Sequence, residues 1–165
     1  MDAKEIFLRI WDREAKTTAK VLRAFPPTSL EVKPHERSRS TRDLAWQCVI
    51  DERVIEKIID GFNDLRNVPP SPPPPQTMEE IALAYEAAHR DASEKMRRPE
   101  TQFSKTVTVT MRGGSVELEQ AETIWGNLLD QIHHRGQLTI YLRQAQGKVP
   151  AIYGPSGDEG TSFTA

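Results

Sequence analysis

The sequence predicts an all-α fold: a four-helix bundle with a long crossover and a short extended or hairpin insert before the last helix. Three observations carry this. Four long segments place apolar residues at three- and four-residue steps. One stretch, "NVPPSPPPPQ", is too rich in proline to join either neighbouring helix. Only one stretch, "KTVTVTMRGGSVELE", alternates like a strand. Helices joined by short loops with one long connection make a bundle with a crossover.

The first helix is expected from about Ala3 to Phe25, with Ile6, Phe7, Ile10, Trp11, Thr17, Val21 and Leu22 on its inner side. "FPP" stops it, since proline lacks the N–H that a helix interior needs. The second begins in "SRSTRDLAW", where Ser40 or Thr41 can cap and Asp43 suits the positive end of the helix dipole. Leu44, Cys48, Ile55, Ile58, Ile59 and Phe62 form its stripe, and "DGFND" ends it. The proline segment that follows reads as a stiff, extended loop spanning the end of the bundle. The third helix opens at "TMEE", where Thr77 and Glu80 form a capping box. Ile81, Ala84, Tyr85, Ala88, Ala92 and Met96 line its inner face.

In the insert, Val107, Val109 and Met111 alternate with polar residues, and Gly113–Gly114 signals a turn. The fourth helix is expected from about Leu118 to Gln146, burying Trp125, Leu128, Leu129, Ile132, Gly136, Thr139 and Ile140. A mid-helix glycine such as Gly136 costs about 1 kcal/mol relative to alanine. It is therefore expected to sit where packing is close. No internal repeat is evident. Residues 1–165 suit one domain, with a polar tail from about 155 that frays at its end.

The bulk properties exclude several classes. The net charge is −2, and basic residues are interspersed with acids, so no nucleic-acid-binding stripe is present. No apolar run approaches the ~18 residues of a membrane span. The single cysteine, Cys48, cannot form an intramolecular disulfide and reads as a small core residue. "MDAKEIFLRIWDREAK" meets charge too early for a secretory signal. The expectation is a cytoplasmic protein.

The chemistry concentrates in "DQIHHRGQLTIYLR". Asp130 and His134 stand four residues apart, on one helix face, so both can reach one ion. Imidazole and carboxylate both serve zinc, nickel, iron or manganese. A third ligand must come from another helix, and Gln47, between Leu44 and Cys48, is the candidate. The same spacing also suits a hydrogen-bonded Asp–His pair, or a metal-free general base. His133 points about 100° away from His134. His35 and His89 have no ligand-like spacing around them and read as surface or packing residues.

"HHRGQLTIYLR" followed by "VPAIYGPSGDE", together with "PHERSRSTRDLAWQCVIDE" upstream, resembles the DinB/YfiT superfamily over nearly the whole chain. The resemblance implies a four-helix bundle, often dimeric. It also implies a metal held near one end by three histidines, one from the second helix and an H-x-x-x-H pair from the last. Only His134 matches that set; Asp130 and Gln47 stand at the other two positions. Glutamine carbonyl is a poor neutral ligand for zinc or nickel, so among the four ions the weaker, harder and more open site is expected to prefer iron or manganese, or to hold no metal. Asp51, Glu14 and Glu52 are the carboxylates that could take the place of Gln47. Two functions follow from the resemblance. One is a degenerate metal site with a non-catalytic or stress-associated role and an unknown small-molecule ligand. The other is a metal-dependent hydrolase, or a transferase using a low-molecular-weight thiol. A homodimer is expected in either case.

Overall fold

The computed structural model describes residues 2–159. Its elements run α1 (Ala3–Arg23), α2 (Thr41–Ile59), α3 (Met78–Arg97), β1 (Thr106–Met111), β2 (Gly114–Glu119) and α4 (Gln120–Gln144). Each helix starts where a side chain meets its free N–H groups. Asp2 and Glu5 close a capping box on α1, Ser40 caps α2, and Thr77 caps α3. On α3 the Thr77 hydroxyl donates to Glu80 Oε2 at 2.8 Å. The fourth helix begins two residues later than the pattern suggests because Leu118 belongs to β2.

Side-chain pairs fix the directions. Arg23 reaches Glu79 and Glu86 while Asp12 reaches Arg97, so α1 and α3 are antiparallel. Arg42 meets Gln76 and Lys95 meets Glu56, so α2 and α3 are parallel. Tyr141 reaches Arg39 while Gln120 reaches Ile58, so α2 and α4 are antiparallel. A parallel pair needs a connection that returns along the whole helix. With 19 residues, α2 is about 28 Å long. Ten residues of polyproline-like chain span about 31 Å, and "NVPPSPPPPQ" is that length.

The proline segment is therefore the long crossover itself. It does not merely span an end of the bundle: it runs back along α2, where Trp46 Nε1 donates to the Pro72 carbonyl at 2.9 Å. Before it turns back, the chain after α2 pairs with the hairpin. Thr110 N donates to Asn63 O at 2.7 Å, and Leu65 N donates to Thr110 O at 2.9 Å. The hairpin is antiparallel, in register from Thr106 opposite Glu119 to Met111 opposite Gly114. Gly114 has φ +122°, a conformation that favours glycine.

The core has two parts. One gathers Leu22, Phe25, Leu44, Cys48, Val49, Ile81, Tyr85, Leu138 and Leu142. The other gathers Phe7, Trp11, Ile55, Ile58, Met96, Phe103, Ile124 and Leu128. Cys48 is fully buried, and burial holds its thiol well above the usual range, as expected of a packing residue.

The predicted inner stripes hold for α2 and α3 in the main, with Ile59, Phe62 and Ala84 only half-buried. On α1, Ile6 is exposed, Ile10 and Thr17 are half-buried, and Glu14 and Thr18 are buried. On α4 the expected stripe is displaced. Leu129 is 60% exposed and Ile140 54%, and among the described residues no other element lies within 4 Å of a Cβ built on Gly136. The buried face instead carries Ile124, Leu128, Gln131, Arg135, Leu138 and Leu142. Two of these are polar, so apolar periodicity selects the neighbouring face.

Candidate metal centre

Asp51, Asp130 and His134 bring one ligand atom each to within 4.8 Å of one another. His134 Nδ1 lies 3.3 Å from Asp51 Oδ2 and 3.8 Å from Asp130 Oδ2. Asp130 and His134 meet because four residues make roughly one helical turn. Asp51 joins them because α2 and α4 pack antiparallel at this level. The cluster lies on the α2–α4 seam near mid-helix, not at one end of the bundle as the resemblance implies.

Gln47 sits one turn before Asp51 and acts differently from the expected ligand. Its amide Nε2 donates to Asp51 Oδ1 at 2.8 Å, and its Oε1 accepts from Arg39 at 3.0 Å. It orients the carboxylate that belongs to the cluster. The other two stand-ins face elsewhere. Glu14 Oε2 accepts from Arg135 at 2.8 Å and from the Tyr153 hydroxyl at 2.7 Å. Glu52 Oε1 accepts from Trp11 and Gln131, both at 3.0 Å, inside the core.

The electrostatics are those of a half-enclosed site. Burial pushes the Asp51 carboxyl up, and its hydrogen bonds to His134 and Gln47 only partly offset this. The Asp51 contact raises His134 above its usual range, against the opposing effect of burial. Asp130 is 58% exposed at its side chain, so the cluster opens to the surface on that side. The donor chemistry fits a divalent cation: two carboxylates and an imidazole neutralise a +2 charge and leave coordination positions free. An ion held by His134 Nδ1 and Asp51 Oδ2 would displace any proton between them, so its binding would depend on pH.

His133 is exposed, and Gln137 Nε2 donates to its Nε2 at 3.1 Å, so it points away from the cluster as expected. His89 is not an ordinary surface residue. It is wedged between two carboxylates, with Nε2 3.1 Å from Asp12 Oδ1 and Nδ1 3.4 Å from Glu52 Oε1. These carboxylates come from different helices, so no spacing in the sequence announces them. Arg135, within the "HHRGQ" stretch, also serves structure: it and Glu14 are both about 1% exposed and pair across α1 and α4.

The comparisons with known proteins agree with this architecture. The DinB family profile matches residues 1–162, and the chain belongs to the DinB family. It is 28% identical over 159 residues to the uncharacterized protein YrdA of Bacillus subtilis (strain 168), covering 95% of this chain and 92% of that one. A DinB-like protein from Bacillus cereus ATCC 10987 superposes with a TM-score of 0.76 at 24% identity, covering 90% and 97% of the two chains. The DinB-like protein YjoA of Bacillus subtilis gives 0.70 at 14% identity, covering 90% and 98%. The solved structures bear on the fold alone. Among the described residues, no helix is long and apolar enough to cross a membrane.

Proposed function

We propose that this protein holds a divalent metal through Asp51, Asp130 and His134 and presents its open positions to a small molecule. The observation that supports this reading is the second carboxylate. Asp51 supplies the ligand that Gln47 does not, so two departures from a three-histidine pattern still leave three donors together. Two oxygen donors for one nitrogen shift the preference from zinc and nickel toward manganese(II) and iron(II). A metal held there would supply Lewis acidity and a water of lowered pKa, the chemistry of hydrolysis.

The chain's own residues set the rest. Asp51 is nearly buried and held by Gln47, so it fixes one side of the site. The exposed Asp130 carboxylate forms the open side, where a ligand can enter. The homodimer and the cytoplasmic setting belong to the same proposal. Leu129 and Ile140 form an exposed apolar stripe on α4 that a second copy would cover.

Metal content after separate exposure to manganese, iron, zinc and nickel tests the proposal. Stoichiometric uptake that His134→Ala and Asp51→Asn both abolish is the expected result. Uptake unchanged in both variants would place the metal elsewhere. No uptake of any ion would remove the reading.

A further inference from the structure

Beside the cluster lies a groove of about 280 Å3, walled by the hairpin on one side and α4 on the other. Leu65, Val109, Met111 and Leu118 give it an apolar side, and α4 faces it with Gly126, Asp130 and three further polar residues. We infer that this groove holds the unbranched apolar tail of a small amphiphile whose oxygen-donor head sits at the Asp51–Asp130–His134 cluster. The inference rests on the metal-site reading and names the class of ligand that the site takes.

Three features of the groove point to a tail. First, Asp130 belongs to both places: its Oδ2 is 3.8 Å from His134 Nδ1, and the residue lines the groove. A head bound at the cluster therefore directs its substituent along the hairpin wall. Second, the wall is built for contact. Val109 is 1% exposed and so locked in the packing behind the groove, while Met111, 39% exposed, offers surface to a ligand. The pairing of Asn63 and Leu65 with Thr110 fixes Leu65 beside Val109, so the wall is held by backbone hydrogen bonds. Third, α4 presents glycine where the groove passes. Among the described residues, no other element lies within 4 Å of a Cβ placed on Gly126, so the space above it is open.

The volume, shared among water-sized groups of roughly 30 Å3, suits a tail of about eight carbons. The groove is open on one side, so each methylene gains about half of full burial. That corresponds to roughly twofold in affinity per carbon.

The test compares acetohydroxamate with octanohydroxamate on manganese-loaded protein by titration calorimetry. Both carry the same oxygen-donor head; they differ by six methylenes. The longer ligand is expected to bind on the order of 50-fold tighter. Gly126→Trp, which fills the groove, and Met111→Ser, which strips its rim, should each reduce that gain while leaving acetohydroxamate affinity alone. Equal affinities of the two ligands on metal-loaded protein would overturn the groove and leave the metal site standing. A gain that survives both variants would place the tail elsewhere, and overturn it too. If Gly126→Trp and Met111→Ser both convert a dimer into a monomer, a second copy of the chain occupies the groove and the tail does not. Failure to take up manganese would remove the metal reading and this inference together.

Discussion

At the scale of single residues, the site divides into ligands and supports. Asp51 and Gln47 differ by one turn, yet only Asp51 reaches His134. Asp51→Asn should therefore lower manganese affinity at least 100-fold. Gln47→Ala should cost closer to tenfold, because it frees a carboxylate without removing it. Calorimetric titration of the two variants side by side checks this; equal losses would make Gln47 a ligand after all. Asp51 is legible in the sequence as a charge on an otherwise apolar face of α2, four residues past the expected ligand. Its selection over Glu14 and Glu52 is not legible, because it depends on the level at which α2 meets α4.

Two further residues carry predictions. Arg135 and Glu14 form a buried pair that ties α4 to α1, with Tyr153 closing over it. Burial raises the Glu14 carboxyl, but hydrogen bonds from Tyr153 and Arg135 outweigh it and hold it low. Arg135→Ala leaves that carboxylate to Arg13 and Tyr153 alone and should destabilise by about 1.5–3 kcal/mol in urea denaturation. His89 gives a pH dependence. Burial opposes its charge, yet Glu52 and Asp12 raise its pKa above the ordinary 6.5. A raised folded pKa contributes stability that is complete below the unfolded value and is lost as pH rises through the folded one. Stability should thus fall from just above pH 6.5 upward, and His89→Gln should reduce that slope, leaving the part due to His134, whose pKa is raised likewise.

At the scale of elements, α2 and α3 were legible because caps and stripes agree, whereas α1 was legible from its period and the "FPP" stop, with Ile6, Ile10 and Thr17 lying off the buried face. The helix α4 shows where such reading fails. Its buried face includes Gln131 and Arg135, whereas Leu129 and Ile140 lie outside. A pattern that equates apolar with buried rotates this helix to the wrong face. The proline segment was legible as extended chain, but its course was not. Only the parallel pairing of α2 and α3 makes it a strut along α2. That role predicts a cost for softening it. Replacing Pro72, Pro73, Pro74 and Pro75 with glycine enlarges the unfolded ensemble, by about 0.4–1 kcal/mol per position. The variant should lose about 2–4 kcal/mol in stability while its metal affinity holds, since the strut bonds to α2 through Trp46 and Arg53, whereas Gln47 and His134 hold the Asp51 carboxylate.

At the scale of the whole molecule, the displaced face of α4 bears on assembly. Its outer side carries Leu129, His133, Gly136 and Ile140 at three- and four-residue steps. Gly136 costs helix stability, and no other element among the described residues comes within 4 Å of a Cβ built on it. A glycine flanked by exposed leucine and isoleucine lets a second helix approach closely, and the same stripe on two copies can pair about a two-fold axis. On this proposal the protein is a dimer with α4 against α4. Leu129→Asp with Ile140→Asp places two carboxylates on each copy in the contact and should yield a monomer by sedimentation. The stripe lies outside the core, so the monomer should keep its helical content. Gly136→Leu should weaken the dimer by separating the helices while raising the stability of an isolated chain. A native protein that sediments as a monomer at every concentration would leave Gly136 a cost without a use, and the dimer would have no support in this face.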